Sequence, residues 1–320
     1  MNHLASSVGP TQFPADASKP AVAKRLAVFS TLALLCVAVF WRPLFALVRL
    51  ALASDPHSHT IIVPLISATL IWWQRKKIFS PTAFNWVQGA LLFIPGVILY
   101  WFGHRLDVSG SSSALSFLIL SLVILLIGSF ASCFGLRAAR TAAFPLLFLL
   151  LMVPIPTAAV DAMMTLLQHW SADLVALIFR AVAIPVHREG LVFDLPGVSI
   201  FVAKECSGIH SCIALFLTAL LAAQFVLQSN WRKGVLCALV VPIAVTKNAL
   251  RIVTLTSLAI YVDPSFLSGR LHHYGGIPFF LVDLVLLYGL LRLLKGDENR
   301  RASRNIRAQN SQKIPVAAKY

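Results

Sequence analysis

Charged residues are scarce in this chain, and acidic ones are the scarcest. Of the 320 residues only 12% are charged and 58% are hydrophobic, and Asp and Glu together number 12. A soluble domain carries about 25% charged residues, so the composition excludes an ordinary soluble fold. Segments such as 114–134 and 234–260 run for about 20 or more residues almost without charge, the length that crosses a hydrocarbon core. The sequence therefore predicts an all-α polytopic membrane protein.

Cysteine is also rare, and its placement excludes two kinds of site. The five cysteines follow no metal-ligand spacing and no disulfide framework. Cys206 and Cys212 lie near one predicted helix start, too far round the helix for an easy bridge. Cys36, Cys133 and Cys237 stand within apolar segments, where cysteine serves as a small hydrophobic residue. We expect neither a metal nor a cofactor.

The net charge of +15 does not predict a nucleic-acid partner. The positive residues collect beside the hydrophobic segments, where they orient a membrane protein and face anionic lipid. Membrane lipids are therefore expected partners, and nucleic acid is not.

Hydropathy predicts about eight membrane spans. They cover roughly 25–48, 60–74, 86–103, 114–135, 141–157, 207–228, 234–260 and 275–294. Most of the 27 Lys and Arg fall in groups that this arrangement places on one side, which is then the cytoplasm, with both termini there. The predicted organisation is a disordered cytoplasmic N-terminus (1–24), a transmembrane domain (25–295) and a basic, disordered cytoplasmic tail (296–320). We expect a multi-pass protein of a bacterial inner membrane.

The longest segment on the other side, about 157–205, is expected to hold most of the extramembrane mass. Between 158 and 179, apolar residues recur at helical intervals: Met163, Leu166, Leu167, Trp170 and Leu174. Asp161, Gln168, His169 and Asp173 lie between them. The pattern predicts a small amphipathic helix, and both an interfacial position and a ninth span remain open. Residues 191–193, 194–197 and 198–202 are typical of strand, turn and strand, so a β-hairpin would lead the chain rigidly to Cys206.

Three residues near predicted helix ends carry groups that peptide-bond chemistry requires: the thiol of Cys206, the guanidinium of Arg251 and the imidazole of His272. The eight-span arrangement brings all three towards the external surface, since Arg251 lies about 25 Å along the seventh span from its cytoplasmic start. A thiol near a helix N-terminus has its thiolate favoured by the helix dipole and free backbone amides. The auxiliary candidates are His273, His210, Ser207, Asn248 and Lys204.

Each of these three residues also has an ordinary structural interpretation. Cys206 would be a small apolar residue in a core, and the histidine pair 272–273 a polar interfacial loop. An arginine within a span snorkels or pairs with a carboxylate, for which Asp263 and Asp283 are available. Either histidine of the pair could act as the acid or base.

The motifs also resemble a known family. Residues 205–211, then 248–252, then His272 four residues before a glycine, resemble the signature set of the exosortase/archaeosortase family. Residues 58–66 and 188–190 resemble blocks that precede that set. The resemblance covers roughly residues 30–295 and preserves the order of the motifs, and this order is more specific than any single motif.

The resemblance implies an integral-membrane cysteine peptidase or transpeptidase. Its substrates would be exported proteins with a C-terminal sorting signal, made of a short motif such as Pro-Glu-Pro, a transmembrane helix and a basic tail. Cys206 would be the nucleophile, Arg251 the transition-state partner and His272 the acid/base. Two positions depart from the pattern: Thr60 stands where the family often has Gly, and His210 where Arg or Asn is common.

Two rival functions remain open at the level of the sequence. In a transporter or flippase for an anionic solute or lipid, Arg251, Lys247 and His272 would bind the anion, although no inverted repeat is visible. In a non-catalytic factor for surface-polymer export, single alanine substitutions at these positions would leave function intact. The recognised motif, the acceptor and the oligomeric state leave no trace in the sequence.

Overall fold

The computed structural model describes residues 19–79, 89, 91–108, 113–195, 198–263 and 276–312. The helices are α1 (Lys19–Val39), α2 (Trp41–Ala53), α3 (Ile62–Trp73), α4 (Arg75–Ile78), α5 (Phe93–Val108), α6 (Ala114–Thr141), α7 (Ala143–Phe148), α8 (Thr157–Ala181), α9 (Ile209–Val226), α10 (Asn230–Ala238), α11 (Val240–Tyr261) and α12 (Gly276–Gln312). Short 3-10 turns cover Asp55–Ile61, Leu149–Met152 and Lys204–Ser207. The strands are β1 (His187–Glu189), β2 (Val192–Leu195) and β3 (Val198–Phe201).

The chain divides into two compact units, 1–157 and 158–320. In the first unit, small residues let helices approach closely. The Ser121 hydroxyl donates to the Gly96 carbonyl oxygen at 2.7 Å, and a Cβ at Gly96 would lie 2.6 Å from the Leu125 side chain. Close contact through glycine and serine is typical of membrane helices, which gain little from hydrophobic burial among lipid chains.

Among the described residues, five helices are long and apolar enough to cross a membrane. They are Val22–Val39, Ala114–Thr141, Thr157–Ala181, Ile209–Val226 and Asn230–Tyr261. The protein is therefore a mostly helical, multi-pass membrane protein, while the count of eight spans stays a prediction.

The helix boundaries differ from the predicted spans, for example in the first and the fifth. Helix α1 begins at Lys19, within the predicted N-terminal lead-in, and the predicted span 25–48 is two helices that meet at Phe40. The predicted span 141–157 holds the apolar helix Ala143–Met152, which at about 1.5 Å per residue is about 15 Å long and half a hydrocarbon core.

The sheet of the second unit lies between α8 and the turn that carries Cys206. Its strands are antiparallel in the order β1-β2-β3, with Phe193 opposite Ile200. The predicted hairpin is confirmed as β2 and β3, although its turn at 196–197 lies outside the described residues. Strand β1 was not predicted, because three polar residues carry no alternating pattern. Phe193 packs in one buried cluster with Phe179 of α8 and Ala249 of α11.

Helix α8 buries only part of the apolar stripe that its sequence predicts. Leu167 is buried, but Met163, Leu166 and Trp170 are each at least 40% exposed. Gln168, predicted to lie on the polar face, is 3% exposed, and Ser171 is fully buried. Lipid is as apolar as the protein interior, so large apolar side chains of a membrane helix can face outward, and polar ones that find partners can pack between helices.

The tail predicted to be disordered, 296–320, is instead helical in its first part, because α12 continues into it. The Glu298 carboxylate accepts the backbone N–H groups of residues 228–229. Arg232, only 4% exposed, donates to Asp297 at 2.7 Å and thereby holds the pKa of this exposed carboxyl below its ordinary value. Composition alone predicts disorder here, since it does not register these specific partners.

Candidate active site

Cys206 lies in the single 3-10 turn between β3 and α9, and for this residue the structure describes the backbone. The next residue but one, Gly208, has φ +72° and ψ 13° and caps α9. Its carbonyl oxygen accepts the backbone N–H of Cys212 at 2.9 Å, which starts the helix. This left-handed conformation redirects the chain from the turn into the helix, and glycine adopts it without steric cost. Cys206 is thus held two residues before a helix N-terminus.

The Cys206 turn packs against the middle of α11. A Cβ at Gly208 would lie 3.5 Å from both Cγ and Oδ1 of Asn248, so the amide of Asn248 lies against the backbone just after the cysteine. Asn248 is 1% exposed. Arg251 follows one turn later on the same helix and is half-buried. The structure therefore brings the Cys206 backbone, Asn248 and the turn that bears Arg251 together.

Two residues of α8, Gln168 and Ser171, hold the Cys206 segment and Asn248 in place. The sequence analysis gave neither of them a role in the site. The Gln168 amide donates to the Val202 carbonyl oxygen at 2.9 Å, four residues before Cys206. Asn248 Nδ2 donates to the Ser171 hydroxyl at 3.0 Å. The available signal was a pair of polar residues three apart on one helix, which therefore share a face. Helix α8 is thus hydrogen-bonded both to the strand that leads to the cysteine and to α11.

The auxiliary candidates around Cys206 have different surroundings. Ser207 is buried, and its hydroxyl has no hydrogen-bond partner among the described residues. His210 is exposed on the first turn of α9. Lys204 is exposed and pairs with Asp161 of α8 at 3.4 Å, an exposed contact of the kind that contributes about 0–1 kcal/mol.

A buried ion pair joins α11 to α12. The Lys247 ammonium lies 3.7 Å from the Asp283 carboxylate, and the two side chains are 3% and 0% exposed. Among the described residues no group donates a hydrogen bond to either oxygen of Asp283. The sequence analysis named Asp283 as an available partner for Arg251, but in the structure Asp283 pairs with Lys247, which lies one turn before Arg251.

His272 and His273 lie outside the described residues, so the choice between them stays open. Helix α12 begins four residues after His272, at Gly276.

Replacing Gly208 with alanine is expected to destabilise the protein by about 1–2 kcal/mol, because a Cβ disfavours the left-handed backbone conformation. Any reaction that the Cys206 thiol carries out should slow as well, since the strain acts two residues from Cys206. Gly234→Ala is the matched control: a Cβ at Gly234 of α10 would meet nothing within 4 Å, and alanine favours a helix. Denaturant unfolding in detergent measures both effects, and equal stabilities for the two variants would contradict the prediction.

Comparison with known proteins places the chain. The family model described as Transmembrane exosortase (Exosortase_EpsH) matches residues 51–289, about three quarters of the chain. The matched range includes Cys206, Arg251 and His272. No curated protein and no solved structure matches the chain. The chain belongs to the transmembrane exosortase family, a family of membrane proteins with a transpeptidase-like sorting function.

Proposed function

We propose that this protein is a membrane-embedded cysteine peptidase or transpeptidase that cleaves the C-terminal sorting signals of exported proteins. One observation carries the proposal. The Cys206 turn packs, through Gly208, against Asn248, one turn before Arg251. This contact brings the chain just after the proposed nucleophile next to the helix turn that precedes Arg251, and both lie within the range matched by the family model.

The sheet supports a site at the membrane surface. Open sheet edges do not occur in the hydrocarbon region when they face lipid, because their N–H and C=O groups would be unsatisfied. Residues 172–179 of α8 pack against this sheet, and Arg188 of β1 pairs with Asp173 at 2.8 Å. We therefore position this half of α8 in the interface, with Trp170 towards lipid. Together with the basic groups that the positive-inside rule assigns to the cytoplasm, this supports an extracytoplasmic position for Cys206.

In the first step the Cys206 thiolate attacks the scissile carbonyl carbon. A C–S bond forms while the carbonyl π electrons move to oxygen, and the guanidinium of Arg251 stabilises that oxyanion. Collapse of the tetrahedral intermediate breaks the C–N bond, and His272 gives its proton to the departing amine. The products are a thioester on Cys206 and the released helix with its basic tail.

In the second step a nucleophile resolves the thioester. An acceptor amine, or water, attacks the acyl carbon and loses a proton to the imidazole, and the C–S bond breaks to regenerate the thiolate. An amine acceptor gives transpeptidation, and water gives proteolysis. Asn248 serves as a positioning residue, because its amide contacts the Cys206 turn while donating to Ser171 of α8.

The proposal is tested by co-expressing the full chain with a tagged exported protein that ends in a short motif, a transmembrane helix and a basic tail. The host should lack its own enzyme of this family. We expect the helix-and-tail fragment to be released, together with a chain–substrate adduct that hydroxylamine cleaves, as it cleaves thioesters. A substrate whose motif is replaced by glycine and serine is the control. Equal release in cells without the chain would refute the proposal.

A further inference from the structure

Helices α11 and α12 leave an open groove between them, separate from the Cys206 turn. Its volume is about 490 Å³, and it is lined by residues from Leu239 to Thr246 and from Val285 to Leu293. The Thr246 hydroxyl, the only one among the described lining residues, already donates to the Pro242 carbonyl oxygen at 2.8 Å. A Cβ at Gly289 would meet nothing within 4 Å. The groove therefore offers an almost wholly apolar surface.

The lining of the groove suits a flexible hydrocarbon chain. Eight residue steps of α12 at about 1.5 Å each give the groove a length of about 12 Å, and its lining is apolar along that length. An acyl chain lies readily in such a groove, and the polar headgroup of a lipid then requires a partner at one end.

The helix face that lines the groove continues into exposed arginines. Arg300 and Arg304 follow Leu293 by seven and eleven residues, spacings that return to the same face of a helix. Both are exposed. The nearby carboxylate of Asp297 is already paired with Arg232 and Arg301. Arg300 and Arg304, at the C-terminal end of this helix face, are therefore available to bind an anion that is not part of the protein.

The distances suit a phospholipid. Arg300 and Arg304 lie about 10 and 16 Å along the helix from Leu293, and the headgroup region adds about 5–8 Å to each side of the hydrocarbon core. The Arg300 side chain folds back towards that layer while keeping its charge in it. Arg304 lies one turn further out, within the screening distance of about 8–10 Å over which its charge still attracts an anion. Basic pockets beside membrane helices are known to recognise anionic headgroups.

We propose that this groove binds an acyl chain of an anionic phospholipid whose phosphate is held by Arg300, while Arg304 adds to the positive charge that attracts it. The inference concerns a part of the second unit other than the proposed active site and does not depend on the proposed reaction.

The test is native mass spectrometry of the full chain with phosphatidylglycerol or phosphatidylcholine that have identical acyl chains. Each arginine near an anionic lipid contributes a factor of about five, so we expect phosphatidylglycerol to bind about 30-fold more tightly. The double variant R300Q/R304Q should abolish this preference. Gly289→Leu, which places a side chain in the groove, should weaken the binding of both lipids.

Matched controls separate these effects from general changes in charge or hydrophobicity. R137Q/R140Q removes two exposed arginines from the first unit, and Gly234→Leu adds the same side chain at an open glycine of α10. Both should bind lipid as the unchanged protein does. If Gly289→Leu fails to fold, R300Q/R304Q still decides, because both arginines are exposed.

Three outcomes would overturn the proposal. The first is equal binding of the two lipids, or a preference that survives R300Q/R304Q. The second is a dimer that Gly289→Leu dissociates without changing lipid binding, which would assign the groove to a second copy of the chain. The third is a Gly289→Leu variant that binds lipid normally but no longer processes substrate, which would assign the groove to the substrate helix.

Discussion

Cys206→Ala should lower the rate of substrate processing by roughly 10³-fold or more, because no thioester can form without the thiolate. The alanine side chain is smaller and apolar, and it replaces a residue in a short turn whose backbone is fixed by Gly208. The stability of the protein should therefore change little. Measuring released tail fragment and thermal unfolding on the same preparation separates loss of chemistry from loss of fold.

Cys212→Ala is the matched control for this substitution. Cys212 lies six residues later on α9, half-buried beside the cluster that α9 forms with α12, and the proposed reaction gives it no role. We expect it to keep processing within a few-fold of the unchanged protein. If Cys206→Ala releases the fragment at the normal rate, or if the two variants lose activity equally, Cys206 is not the nucleophile.

Asp283→Leu should destabilise the protein by about 3–5 kcal/mol, the largest effect on stability that we expect from one substitution. The Lys247 ammonium is 3% exposed, and removing Asp283 leaves its charge buried without its counter-ion, which costs far more than the ion pair itself contributes. Denaturant unfolding in detergent micelles measures the change. Processing should fall in parallel, because Lys247 is on α11 one turn before Arg251.

The double variant Lys247→Met and Asp283→Leu distinguishes this cause from loss of packing. Replacing both members of a buried pair by apolar residues of similar volume is often neutral or stabilising, so most of the lost stability should return. Asp161→Leu serves as the control for an exposed pair, since Asp161 and Lys204 are 62% and 57% exposed, and it should cost less than about 1 kcal/mol. A double variant as unstable as Asp283→Leu alone would contradict the explanation.

Much of the local structure around the site was predictable from neighbouring residues. The hairpin before Cys206 follows from alternating apolar residues around Asp194, Pro196 and Gly197, and the start of α9 follows from Gly208. These features depend on contacts within a few residues, so a local pattern records them. The roles of Cys206, Arg251 and His272 were inferred from motifs and remain predictions.

The orientation of α8 was not predictable in the same way. Helical periodicity locates a hydrophobic stripe, but in a membrane the stripe faces lipid as readily as protein. The sequence therefore gave no reason to single out Gln168 or Ser171. In the structure Gln168 donates a hydrogen bond to Val202, the residue after β3, and Ser171 accepts one from Asn248. The pairing of Lys247 with Asp283 was missed for a related reason: a contact between residues 36 positions apart depends on how two helices pack.

The hydrogen bonds that Gln168 donates and that Ser171 accepts have a mechanical consequence. One helix holds both the chain segment that precedes the thiol and the helix that bears the guanidinium, so displacement of that helix carries the two groups in the same direction. With α8 in the interface, as proposed, thinning or thickening of the surrounding bilayer would therefore change the depth of both groups while their mutual spacing is preserved. Such a coupling would let the proposed active site keep its geometry in membranes of different composition.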